Sequence, residues 1–149
     1  MRNALLGPAY GLILPAVASL HARHIGLRAS GAVLATIFGT AHAAMSILGT
    51  VNVDAQGPAV FLMGVWWWTC GKMWFETATL PRALDLATTA LAPVVMLASF
   101  AVAVNAPLLA FGAPDLRVWE VTRVALAVWL VALAAMLWRS SYEVAPPPR

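Results

Sequence analysis

The stretch ASGAVLATIFGTAHAAMSILGTVNV, residues 29–53, contains no acidic or basic side chain apart from His42. One bilayer crossing needs about 20 predominantly apolar residues, so this run reads as a membrane-spanning helix and sets the fold class. Using charged residues and turn formers as punctuation gives four more spans, at residues 3–20, 58–76, 86–112 and 118–138. The expected fold is all-α: a polytopic transmembrane helix bundle forming one domain over residues 1–144, with a short Pro-rich tail at 145–149.

Composition supports that reading. The 149 residues are 62% hydrophobic and 10% charged, with a mean hydropathy of +0.82. An ordinary soluble domain carries roughly a quarter charged residues, so a soluble enzyme is excluded. The pI of about 9.8 does not indicate a nucleic-acid partner, because the nine Lys and Arg lie one or two at a time between apolar runs. A single cysteine, Cys70, allows no intrachain disulfide and no cysteine-based zinc site.

Positive charge orients the bundle. With five crossings and the N-terminus outside, Arg23, Arg28, Lys72, Arg82, Arg139 and Arg149 fall inside, and Arg2, Arg117 and Arg123 outside. That bias gives N-out/C-in in a bacterial-type cytoplasmic membrane. Four crossings, with 58–76 not spanning, is the alternative and reverses the bias to four inside against five outside. The first span also fits a signal peptide ending at Ala16-Val17-Ala18, although Gly7, Pro8 and Pro15 sit awkwardly in such a core. In the longer fourth span, Pro93 and Pro107 predict tilt or kinking.

Helices in lipid associate by close packing, which favours small residues at intervals of four. Gly31, Ala35, Gly39 and Ala43 form such a stripe, as do Gly7, Gly11, Pro15 and Ser19. His42 lies beside the first stripe, so it should face protein and bond a carbonyl or hydroxyl across the interface. At 1.5 Å per residue, His42 and Met96 lie about 20 and 16 Å from the inner ends of their spans. Tyr10, Trp67 and Met63 lie about 12, 15 and 8 Å from the outer ends. A midplane ligand pocket lined by Tyr10, His42, Met63, Trp67 and Met96 follows as a candidate site.

Of the consecutive Trp66, Trp67 and Trp68, at least one must face inward, since successive helical residues point about 100° apart. Trp68, Lys72 and Glu76 share a line that allows a Lys–Glu pair, with Lys72 snorkelling to headgroups as the alternative. Glu120 and Arg123 form a second pair at i, i+3, beside Asp115 and Arg117. His21, Arg23, His24 and Arg28 form a positive inner anchor. Haem held by two histidines is excluded by depth, because His21 and His24 lie about 20 Å below His42. A soft copper site from His42, Met45, Met63 and Met96 is allowed by ligand type, and the cofactor is otherwise unknown.

Five spans, about 150 residues and many tryptophans resemble in outline the tryptophan-rich sensory family, whose members bind porphyrins and sterol-like ligands. That family's tryptophan and proline patterns do not fall on Trp66 to Trp68 or Trp74, so no residue roles carry over. Small multidrug exporters and glutathione-linked microsomal enzymes have similar lengths, but the chain has neither a central membrane carboxylate nor an arginine-rich glutathione motif. Catalysis is not expected. The expected role is a non-catalytic subunit or scaffold of a membrane complex, surrounded by lipids and by protein partners or further copies. The alternatives are a carrier of a small apolar or aromatic molecule and an intramembrane redox or metal-handling protein.

Overall fold

The computed structural model describes residues 6–112 and 117–143. The start of the first span, Asp115 and the Pro-rich tail lie outside the described residues. All regular structure among them is helical: α1 (Leu6–Gly11), α2 (Ile13–His24), α3 (Ala29–Leu48), a 3-10 turn (Val53–Ala55), α4 (Gln56–Thr77), α5 (Arg82–Ala110) and α6 (Val118–Glu143). Three stretches are long and apolar enough to cross a membrane: Ala29–Leu48, Arg82–Asn105 and Val118–Arg139.

Local chemistry sets the boundaries. Pro15 has no N–H, and its ring crowds the carbonyl four residues back, so the first span breaks at Leu12 into α1 and α2. α3 ends at Leu48, five residues before the expected end, and Gln56 Nε2 donates to the Gly49 carbonyl at 3.1 Å. Asn52 then accepts from the Asp54 amide at 3.0 Å, an Asx turn that starts the 3-10 turn into α4. Ala78, at φ 49°, terminates α4 in the left-handed region. α5 continues as a helix through Pro93 and Pro107.

α4 is the central helix. Its tryptophans, glycines, threonines and Lys72 make it less apolar than the three membrane-length stretches, yet it buries the most residues. Along one side Gly57, Gly64 and Gly71 recur every seven residues and all meet α5. A Cβ on Gly64 would come within 2.9 Å of the Ala92 carbonyl oxygen and the Met96 amide nitrogen. The residues of α5 at this seam are Asp85, Thr89, Ala92, Met96, Ser99 and Ala103. Their 4-3-4-3-4 spacing is the heptad repeat of left-handed helix pairs.

On its other side α4 meets α3. The indole of Trp66 lies across Gly39, where an added Cβ would stand 2.8 Å from the ring. Gly31, Ala35, Gly39 and Ala43 are all buried, as their spacing led one to expect. The first-span stripe behaves differently. Pro15 and Ser19 are exposed, and a Cβ on Gly7 or Gly11 would meet nothing within 4 Å. The buried face of α1–α2 is Tyr10, Ile13, Val17, Leu20 and His24, where larger side chains fill the interface.

α6 joins through aromatic side chains. Trp129 sits among the α4 indoles, with centroids 5.1 Å from Trp66, 5.3 Å from Trp67 and 5.9 Å from Trp74. Its Nε1 donates to Thr88 Oγ1 of α5 at 3.0 Å. Trp66 and Trp67 are thus buried, while Trp68 is exposed.

The end of the bundle that holds His24 is tied by polar bonds. Thr36 Oγ1 donates to the Ala32 carbonyl, so His21 Nδ1 must donate to Thr36 Oγ1, at 2.8 Å, linking α2 to α3. Arg28 pairs with Glu76, joining the α2–α3 turn to α4. Glu76 is thereby taken by Arg28, and Lys72 is exposed beside it. His24 Nδ1 donates to the Leu20 carbonyl at 2.8 Å, and in the neutral ring Nε2 accepts from Thr79 Oγ1 at 2.9 Å.

Burial pushes the His24 ring below the ordinary histidine value; Arg23 acts in the same sense, and the bond to the Leu20 carbonyl opposes it. In the unfolded chain the ring takes a proton near pH 6.5, whereas the folded ring stays neutral to lower pH. Stability is therefore lost as pH falls from about 6.5 towards the folded value. Thermal midpoints of the wild type should drop between pH 7.5 and 5.5 by more than those of His24→Gln. Equal drops would remove His24 from the account.

Candidate functional site

Tyr10 of α1, His42 and Ser46 of α3, Val60 and Met63 of α4, and Trp119, Thr122, Arg123 and Leu126 of α6 line one cleft. It forms because α6 stands on bulky indoles instead of small residues. Tyr10 and Trp119 approach with ring centroids 6.3 Å apart and bring α1 to the start of α6. The atom-free space is about 170 Å³ counted to the open mouth, and about 10 Å³ of it can take the centre of a water molecule.

His42 is 2% exposed. Its Nδ1 lies 2.9 Å from the Ala59 carbonyl oxygen and 3.3 Å from Ser46 Oγ. A carbonyl only accepts, so Nδ1 carries the hydrogen, and Nε2 of the neutral ring presents a bare lone pair. Nε2 is buried and has no hydrogen-bond partner among the described residues. The same holds for the Tyr10 hydroxyl. Ser46 and Tyr10 are buried, and Arg123 is half-buried with no ion-pair partner among the described residues. The Thr122 hydroxyl is committed to the Trp119 carbonyl at 2.9 Å.

The cleft unites Tyr10, His42 and Met63 from the expected set. It does not include the other two. Trp67 is stacked on Trp129 in the aromatic core, and Met96 packs against Gly64 in the α4–α5 seam. Ser46, Val60, Trp119, Thr122 and Leu126 are additions. Ser46 was within reach of sequence reasoning, since it follows His42 by one helical turn. Arg123 was expected to pair with Glu120; it lines the cleft instead.

A copper site from His42, Met45, Met63 and Met96 is not assembled as a set, because only His42 and Met63 line the cleft. Among the described residues there is no group of three or more His, Cys, Asp or Glu placed to hold a metal ion. Cys70 is buried among apolar neighbours. No protein-family model, curated protein or solved structure matches this chain.

Proposed function

We propose that this chain is an integral membrane protein crossing a bacterial-type cytoplasmic membrane five times, N-out and C-in, and serving as a non-catalytic subunit or scaffold of a membrane assembly. Its partners are lipids and other chains or copies of itself. The observation that carries this reading is the filled interior. Trp66, Trp67, Trp74 and Trp129 occupy the centre, and glycines bring α4 and α5 into backbone contact. Organic ligands occupy pockets of about 300–1,000 Å³, whereas the cleft holds the centre of little more than one water molecule, about 10 Å³.

Two measurements test it. Native mass spectra of the full chain, gently extracted from its own membrane into nanodiscs, should show a stoichiometric second chain or a defined homo-oligomer. A lone chain with no added protein mass would overturn the scaffold role. For topology, Val51 and Leu27 are exposed at opposite ends of α3, and native Cys70 is fully buried. In intact cells Val51→Cys should react with an impermeant maleimide, and Leu27→Cys only after permeabilisation.

A second reading, that the cleft binds a small ligand, is favoured by two of its lining residues, Tyr10 and His42, each carrying a buried polar atom without a partner among the described residues, as the indoles of Trp66, Trp67 and Trp74 also do. Leaving such a group unsatisfied costs about 1–3 kcal/mol, and a bound molecule would remove that cost at Tyr10 and His42 together.

A further inference from the structure

We propose that the exposed strip of α4, with the start of α5, binds one anionic phospholipid of the adjoining leaflet, its phosphate beside Lys72 and Arg82 and an acyl chain along Phe75 and Trp68. The proposal rests on the membrane-spanning reading and names one of the lipid partners.

α4 keeps Phe61, Trp68, Lys72 and Phe75 exposed, at separations of seven, four and three residues that place them on one face. This face is distinct from the one that meets α6 through Trp67 and Trp74. Two cations border the Phe75 ring. The Arg82 guanidinium carbon lies 5.5 Å from the ring centroid, and Lys72 precedes Phe75 by one helical turn, where Cβ atoms stand about 5–6 Å apart. Neither cation has an ion-pair partner among the described residues. The nearest acid on α4, Glu76, is held by Arg28, and Asp85 is buried, with one carboxylate oxygen accepting the Leu86 amide. Arg28 and Glu76 cancel, so Lys72 and Arg82 present two exposed positive charges at one edge of the bundle.

Depth favours a lipid over a soluble acidic partner. Lys72 lies five residues before Thr77, the last residue of α4, or about 7.5 Å along the axis. The polar layer on each side of a bilayer is about 5–7 Å thick, so Lys72 reaches the boundary between headgroups and hydrocarbon. Trp68 lies about 6 Å deeper. An acidic peptide could meet Arg82 but would have to enter hydrocarbon to cover Trp68. A phospholipid presents its phosphate and its chain in the order that this face presents its cations and its rings. The phosphate accepts hydrogen bonds from ammonium and guanidinium groups, and it gives Lys72 a counter-ion at a depth where a lone ammonium is costly. A zwitterionic lipid carries its own cation, which competes with Lys72 and Arg82 for the same phosphate.

The test titrates the purified full chain in detergent with dioleoylphosphatidylglycerol or dioleoylphosphatidylcholine and counts retained lipids in native mass spectra. One phosphatidylglycerol per chain should be retained at concentrations where phosphatidylcholine is not. Lys72→Gln and Arg82→Gln should each weaken retention about fivefold, the effect of one basic side chain near an anionic leaflet. Both side chains are exposed, so lipid-free melting curves should match the wild type; if Arg82→Gln melts lower through loss of its contact with Phe75, Lys72→Gln alone decides. Arg139→Gln is the control, removing an exposed cation near the end of α6 that is expected on the same side of the membrane, and it should leave retention unchanged. Glycerol phosphate, the same anion without chains, should not displace the lipid. Equal weakening by Arg139→Gln would reduce the preference to diffuse surface charge and overturn the site. Equal retention of phosphatidylcholine would overturn the anionic assignment, and displacement by glycerol phosphate would overturn the acyl-chain part. No retained lipid of either kind would overturn this proposal alone, whereas a chain that stays in solution without detergent would overturn the membrane-spanning reading beneath it.

Discussion

Gly64→Leu is expected to open the α4–α5 seam and to destabilise the bundle by on the order of 3 kcal/mol or more. A single Cβ at this position already falls 2.6 Å from Met96 Cγ and 2.9 Å from two backbone atoms of α5. Met96 can rotate away, but the Ala92 carbonyl oxygen and the Met96 amide nitrogen cannot, so the helices themselves must separate. Separation forfeits dispersion contacts along the whole seam from Gly57 to Gly71, and in lipid those contacts, not the hydrophobic effect, hold helices together. Gly11→Ala is the control, since a Cβ there meets nothing within 4 Å. Thermal midpoints in one detergent should fall steeply for Gly64→Leu, fall less for Gly64→Ala, and stay close to wild type for Gly11→Ala. Equal midpoints for Gly64→Leu and wild type would mean that α4 and α5 do not meet along this line.

That seam also marks where sequence reasoning stops. The long apolar runs are legible because lipid demands them, and they led to the all-helical architecture and to membrane-length helices at α3, α5 and α6. Which face of each helix turns inward was harder to read. A search for small residues at intervals of four found the α3 stripe, which is buried, and the Gly7–Ser19 stripe, whose Pro15 and Ser19 are exposed. The Gly57, Gly64 and Gly71 repeat has a period of seven. It is visible in the sequence but gains meaning only beside the matching 4-3 spacing in α5. Glu76 shows the same limit. Its helical neighbour Lys72 was the local candidate, but Arg28, 48 positions earlier in the chain, makes the ion pair.

The site was half legible for a related reason. Depth along a helix follows from counting residues, and it put Tyr10, His42 and Met63 at compatible levels. Azimuth does not follow from counting. Trp67 turns to Trp129 and Met96 turns into the glycine seam because those neighbours fill space there, and neither partner is adjacent in sequence. The bond from His42 to a carbonyl on a neighbouring helix was anticipated from its place beside the α3 stripe, and it is made to Ala59 of α4. The orphaned Nε2 was not, since it depends on which of the ring nitrogens meets that carbonyl.

Trp129→Ala should have an effect of comparable size but a different distribution. Removing a buried tryptophan costs about 3–5 kcal/mol when the cavity cannot collapse, and here three indoles of α4 close on it and Thr88 loses its donor. The α6 face that meets the bundle is Thr122, Leu126, Trp129 and Leu133, and Trp129 is its largest side chain. Loss of that contact should release α6 while α3, α4 and α5 stay joined through their own small-residue interfaces. Amide hydrogen exchange in detergent should therefore rise across α6 and change little in the centre of α4. A uniform rise would mean that the bundle opens as one unit and that Trp129 is not a separable anchor. Trp129→Phe separates ring packing from the Thr88 bond and should fall between wild type and alanine.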